Sequence, residues 1–202
     1  QMGADKLVEG AERFGFNQTF DFPLVMYTSL MADPNEMTEW ETAWAAAGVP
    51  VNPMNHESPA GPQATVLQMA MVGSAIANNG VQMTPYLVDG IYNANGERSF
   101  TAQPQKLRTS ISAETAKRVR EVLKGVVNNG TGTAARIDGV DVAGKTGTAE
   151  KNDGNDMWFV GMAPADDASI VVAVVIEDGE ESEGTIKAHD ILQTALEVQG
   201  LL

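Results

Sequence analysis

Residues 139–146, Gly-Val-Asp-Val-Ala-Gly-Lys-Thr, meet the spacing G-x-x-x-x-G-K-[ST], in which bare backbone amides cradle phosphates and a lysine neutralises them. Such a loop must run directly into a helix whose first amides face the phosphates. Here Lys145-Thr146 is followed by Gly147-Thr148-Ala149-Glu150-Lys151-Asn152-Asp153-Gly154, which is turn chemistry and not a helix start. The residues between the two glycines also alternate as a strand does. A phosphate-loop nucleotide-binding protein is therefore the remote alternative, and the segment is expected to be extended.

As a strand, the segment places Asp141, Ala143, Lys145 and Gly147 on one face and Val140, Val142, Gly144, Thr146 and Thr148 on the other. Gly144 and Gly147 leave the main chain bare beside one cation. A ligand could lie along such a strand, taking main-chain hydrogen bonds and the charge of Lys145. For an isolated Lys-Thr-Gly the plainer reading is an edge strand whose lysine discourages aggregation.

Other reactive side chains are sparse. His56 and His189 lack a metal-ligand spacing and read as solvated or packing residues, so no metal is expected. The acidic run 177–183 lacks alternating calcium-ligand spacing and reads as a solvated strand-to-helix turn. Trp158 is expected to pack in the core, and the methionines to fill gaps along helices.

The elements that must position these residues follow from periodicity. Ala4, Leu7, Val8, Ala11 and Phe14 predict a helix over 3–15 that Gly15 stops. A second helix is predicted over 36–47, with Trp40 and Trp44 packed together four residues apart. Residues 48–64, with Pro50, Pro53, Pro59 and Pro62, form an irregular connection long enough to suggest a functional reason. Thr65 and Gln68 make a capping box for an apolar, central helix ending at Asn78-Asn79-Gly80. Residues 81–109 read as extended segments broken at Asn95-Gly96.

Ser112 caps a further helix, with Ala116, Val119, Leu123, Val126 and Val127 inward and Lys117, Arg118, Arg120 and Lys124 toward water. Strands around 140–149, 158–163 and 169–177 with short connections predict an antiparallel meander. A last helix over 184–199 carries Ala188, Ile191, Leu192, Ala195 and Val198 on one face. Helices first and strands later, with a helix laid back on them, define an α+β class. Residues 1–138 are mainly helical with extended segments, and 139–202 are antiparallel strands plus the final helix.

Composition narrows the function classes. The 202 residues carry 13 Lys and Arg against 27 Asp and Glu, a net charge of −14, which repels nucleic acid and anionic lipid. With 43% apolar residues the chain can bury a sizeable core without staples, and it has no cysteine for disulfides or thiolate metal sites. The longest apolar run, Ile170 to Ile176, is far short of the roughly 20 residues that span a bilayer. The opening residues lack the charged head and apolar middle of a signal peptide, and the sequence reads as beginning within a structure.

The Lys-Thr-Gly is not isolated. Gly144-Lys145-Thr146-Gly147-Thr148-Ala149-Glu150, Trp158-Phe159-Val160-Gly161, Leu67-Gln68-Met69-Ala70, Ile76-Ala77-Asn78-Asn79-Gly80 and Pro85-Tyr86-Leu87-Val88 together resemble the penicillin-binding proteins, the D,D-transpeptidases that cross-link peptidoglycan. So do Gly125-Val126-Val127, Gly130-Thr131-Gly132-Thr133-Ala134-Ala135 and Ala163-Pro164-Ala165-Asp166-Asp167, so the resemblance covers nearly the whole chain. It implies a β-lactamase/transpeptidase-like fold, incomplete at the N-terminus, of which this chain is the C-terminal part. Members bring together an S-x-x-K, an S-x-N and the K-T-G strand. Of the serines at 29, 58, 74, 99, 110, 112, 169 and 182, none begins either of the first two motifs. The stretch 57–63 also departs from the Gly-Gln-Gly-like turn of many relatives.

The resemblance implies the following chemistry. A serine outside this chain attacks the penultimate D-Ala carbonyl of a stem peptide, with its lysine neighbour as base, and an amine resolves the acyl-enzyme. Lys145 draws the substrate's terminal carboxylate, the Thr146 and Thr148 hydroxyls bond it, and the Thr148 N–H supplies one oxyanion donor. Lys145 and Thr148 are thus the catalytic candidates, and Lys145, Thr146, Gly147 and Thr148 the substrate-binding ones. No cofactor is implied. Peptidoglycan stem peptides, β-lactams and other cell-wall synthesis proteins are the implied partners. The location would be the extracytoplasmic face of the cytoplasmic membrane, reached through an N-terminal anchor that this stretch does not contain. The chain alone should not acylate. A non-catalytic module of the same fold that holds peptidoglycan or a partner is the alternative.

Overall fold

A computed structural model describes residues 2–51, 61–151 and 154–202. The chain forms α1 (Ala4–Arg13), α2 (Glu39–Ala46), α3 (Val66–Ala77), β1 (Val81–Met83), β2 (Gly90–Tyr92), β3 (Arg98–Thr101), β4 (Lys106–Thr109), α4 (Ala113–Asn129), a short 3-10 turn at Thr133–Ala135, β5 (Ala143–Lys151), β6 (Gly154–Ala163), β7 (Ile170–Ile176) and α5 (Glu183–Gln199). The last three strands form one antiparallel sheet in the order β5-β6-β7, while β1 pairs with β4 and β2 with β3 as separate two-stranded ribbons.

The sheet is covered on both faces. Val142, Phe159 and Val172 pack on Ala188, Leu192 and Leu196 of α5, with Val127, Ala135 and Ile137 completing that cluster. On the opposite face Ala143, Met162 and Ala165 are buried against Ile76 and Ala77 of α3 and Leu123 of α4. A separate cluster of Val8, Phe16, Met31, Ala32, Ala45 and Val51 joins α1, α2 and the segment between them.

Caps written in the sequence set several boundaries. Ser112 accepts from the Thr115 N–H at the start of α4. Thr38 and Glu41 form a reciprocal capping box, so α2 starts three residues later than its apolar pattern suggests. The predicted Thr65–Gln68 box is only half formed. Thr65 accepts from the Gln68 N–H, but the Gln68 amide donates to the Phe14 carbonyl at 2.7 Å instead of reaching back. Gln82 donates to the same carbonyl at 2.8 Å, so the end of α1 is tied to α3 and β1 at one oxygen.

Four expectations about side-chain placement change. Arg120 is buried, not solvated: it donates to the Ile76 carbonyl at 2.7 Å and to the Asn79 side chain at 3.2 Å. It thereby satisfies a carbonyl that the C-terminus of α3 leaves without a helical partner. Lys124 is also largely covered, between Glu121 at 2.9 Å and Asp166 at 3.2 Å. The Glu121 hydrogen bond first, then Asp166, raises its pKa against the opposing effect of burial. On α5 the buried line is Gly184, Ala188, Leu192 and Leu196, and Ile191 and Val198 are exposed. Of the methionines, Met69 and Met71 lie in a helix, while Met83, Met157 and Met162 lie in strands.

Trp40 and Trp44 do meet, edge to face at 5.6 Å, but both rings are exposed. In the acidic run 177–183, Asp178 binds Lys151 and the Glu183 carboxylate accepts from the Glu180 N–H. His189 contacts Asp190. His56 and most of the 48–64 connection lie outside the described residues, although Gly61 pairs with Val51 and Gln63 with Leu30.

Candidate active site

The Gly139–Thr146 segment does not wrap into a helix. Residues 143–151 run as an edge strand paired along their length with β6, which removes the phosphate-loop alternative, since no helix N-terminus follows Lys145-Thr146. The register puts Lys145 opposite Val160, Thr146 opposite Phe159, Gly147 opposite Trp158 and Thr148 opposite Met157. Ala143, Lys145 and Gly147 therefore share the face toward α3 and α4, and Gly144, Thr146 and Thr148 the face toward α5.

Small residues allow this strand to lie where it does. The buried Phe159 ring occupies the space a side chain at Gly144 or Gly161 would need. At Gly147 a Cβ would come within 3.2 Å of the Trp158 Cβ. Trp158 is half-buried beside that glycine and belongs to none of the three buried clusters described, so its expected core role is only partly met. From the two sides, helices press on β6. A Cβ at Gly73 of α3 would lie 2.9 Å from Val160, the neighbour of Lys145. A Cβ at Gly184 of α5 would lie 2.6 Å from the Met157 carbonyl, beside Thr148.

Lys145 and Thr148 are exposed, and Thr146 and Gly147 half-buried. The Lys145 ammonium curls onto its own strand and donates to the Thr146 carbonyl at 2.7 Å. The Thr146 hydroxyl is 2.6 Å from that of Thr131, in the loop after α4. That loop is drawn tight because the N–H groups of Gly130 and Gly132 both donate to the Val126 carbonyl, at 3.0 and 3.1 Å. Thr131 carried no assigned role at the level of sequence; its flanking glycines are the signal that a close turn would deliver it somewhere. The Thr148 hydroxyl donates to the Met157 sulfur at 3.8 Å.

The far end of β5 is fastened by charge. Lys151 meets Asp156 at 2.6 Å and Asp178 at 3.0 Å, which joins β5, β6 and the turn after β7. The Lys151 hydrogen bond holds the Asp156 carboxyl below its ordinary range, and the two carboxylates hold the lysine above its own. Among the described residues no cluster of three or more His, Asp or Glu could hold a metal ion. The strand thus offers an ammonium, two hydroxyls and bare main chain along one margin of the sheet, a set suited to an extended ligand ending in a carboxylate.

Residues 1–197 match the family model of the penicillin-binding protein transpeptidase domain, and the chain belongs to that family. It is similar to stage V sporulation protein D of Bacillus subtilis, 33% identical over 93% of this chain and 28% of the relative. It is also similar to the peptidoglycan D,D-transpeptidase PbpA of Mycolicibacterium smegmatis, 35% identical over 57% of this chain and 24% of that protein. Among solved structures, the D,D-transpeptidase domain of a peptidoglycan glycosyltransferase from Eggerthella lenta is 67% identical, with a TM-score of 0.95, over the whole of this chain and 49% of that one. The imipenem acyl-enzyme of penicillin-binding protein A from M. tuberculosis is 25% identical, with a TM-score of 0.78, over 95% of this chain and 42% of that one. The α+β fold is therefore the β-lactamase-like one of these domains. The chain spans roughly a quarter of the curated relatives' length and under half of these solved chains.

Proposed function

We propose that this chain forms one wall of the cleft of a peptidoglycan D,D-transpeptidase, with β5 as the strand along which the stem peptide lies. The observation that carries the reading is β5 itself: Lys145-Thr146-Gly147-Thr148 stands extended at the margin of the sheet, with its ammonium and one hydroxyl exposed. Lys145 attracts the terminal carboxylate of the D-Ala-D-Ala stem. The Thr146 and Thr148 hydroxyls donate to it, and Gly147 lets the peptide approach the main chain.

In the acyl-transfer step, the Thr148 N–H donates to the oxygen that becomes negative as the serine adds to the carbonyl. The second donor is the N–H of that serine, which lies outside these 202 residues, because the chain contains neither S-x-x-K nor S-x-N. The tetrahedral adduct collapses with release of the terminal D-Ala and leaves an acyl-serine; an amine of a second stem then attacks that ester, forming the cross-link and freeing the serine. β-Lactams enter the same groove as acyl mimics, and the natural setting is the extracytoplasmic face of the membrane, where peptidoglycan is cross-linked.

Fluorescent penicillin tests the reading. Covalent labelling of the full-length protein is expected, and none of the 202-residue chain. Labelling of the chain itself would mean that the nucleophile is misassigned. A full-length protein that stays unlabelled would favour a module of the same fold that binds peptidoglycan without reacting.

A further inference from the structure

The Thr148 hydroxyl has a single hydrogen-bond partner among the described residues, the thioether of Met157, 3.8 Å away across the β5–β6 register. We propose that Met157 is a positioning residue for acyl transfer: it aims the Thr148 hydroxyl and gives it up when substrate arrives. The inference rests on the transpeptidase reading above and extends it to a residue outside the strand that touches substrate.

Three observations carry it. Met157 is the direct cross-strand neighbour of Thr148, on the face toward α5, so its side chain and the hydroxyl stand on the same side of the sheet. The main chain at Met157 is fixed from outside, because the first turn of α5 lies so close that a Cβ at Gly184 would sit 2.6 Å from the Met157 carbonyl. Third, the two threonines of the strand are held differently: Thr146 bonds another hydroxyl at 2.6 Å, whereas Thr148 bonds a sulfur.

The chemistry of the acceptor supplies the function. Thioether sulfur is a weak acceptor, so it orients a hydroxyl at little cost when a better acceptor takes over. A carboxylate is a far stronger one. An amide or carboxylate at position 157 would compete with substrate for the same proton, and a plain hydrocarbon would leave the hydroxyl free to rotate. Methionine lies between these two failures.

The test uses the full-length protein and its second-order rate of acylation by fluorescent penicillin. Met157→Leu preserves volume and removes the acceptor; it should slow acylation about threefold, the worth of one weak hydrogen bond. Met157→Gln, with a stronger acceptor, should slow it at least as much. In a Thr148→Val background neither change should have a further effect, since the residue acts through that hydroxyl. Thermal unfolding reports whether a variant has lost its fold. Wild-type rates in both Met157 variants, or an equal slowing with and without the Thr148 hydroxyl, would overturn the inference and leave the transpeptidase reading intact. An unlabelled wild-type protein would overturn that reading, and this inference with it.

Discussion

Lys145 is the one side chain of the strand whose charge the proposed chemistry needs, and its contact is with its own backbone. It is exposed and belongs to no core cluster described. Lys145→Ala in the full-length protein should therefore lower penicillin acylation on the order of tenfold to a hundredfold, the range for a charge-assisted hydrogen bond, while the melting temperature stays put. Stopped-flow labelling and a thermal melt separate the two quantities. A fall in stability that accounts for the lost labelling would mean that the lysine is structural. Its candidacy was legible in the sequence, because Lys-Thr-Gly-Thr is local. Arg120, Lys124 and Thr131 were not. The first two sit where a helical wheel puts water, and only the arrival of the end of α3 and of Asp166 covers them. Thr131 finds Thr146 through a turn whose direction no periodicity encodes.

At the scale of elements, the position of β5 depends on what lies beneath and beyond it. Gly144→Ala would drive a methyl group into the fully buried Phe159 ring, which is itself held by α5. Overpacking of that kind costs about 1–3 kcal/mol, to be read as a lower denaturation midpoint in urea. At the other end the Lys151 clasp gives the sheet a pH dependence of definite sign. Asp156 is held below its ordinary value of 3.8, so its contribution is complete above that value and is lost as pH falls through the lower, folded one. Lys151 is raised above 10.5, so its contribution persists below that value and is lost only as pH rises past the raised one. Lys151 and Asp178 are substantially exposed and Asp156 partly so, and added salt should weaken the effect. Melting temperature against pH should drop more shallowly below about pH 4 in Asp156→Asn than in the wild type. Parallel acid limbs would show that the clasp contributes nothing. The capping residues Ser112 and Thr65 announced their helices and the Thr38 cap was missed, while the Gln68 amide was drawn to Phe14 by a long-range contact that local pattern cannot foresee. Likewise the stripe on α5 turned toward Leu192 and Leu196 because the sheet, not the helix, decides which apolar side chains are covered.

For the molecule as a whole, three layers converge on one margin: α5 on one face, α3 and α4 on the other, and between them a sheet whose edge strand offers Lys145, Thr146 and Thr148. The layered order was readable from helices followed by a meander. The separate β1–β4 and β2–β3 ribbons were not, since both lie in a stretch that reads simply as extended. The net charge of −14 places an excess of negative charge on the chain that carries this cationic spot, so the attraction of an anionic ligand to Lys145 acts at short range. The most direct test is a crystal structure of the full-length protein acylated by a penicillin. The antibiotic's carboxylate is expected within hydrogen-bond distance of the Thr146 and Thr148 hydroxyls and near the Lys145 ammonium, with the acyl oxygen on the Thr148 N–H. An adduct whose carboxylate points away from residues 145–148 would contradict it.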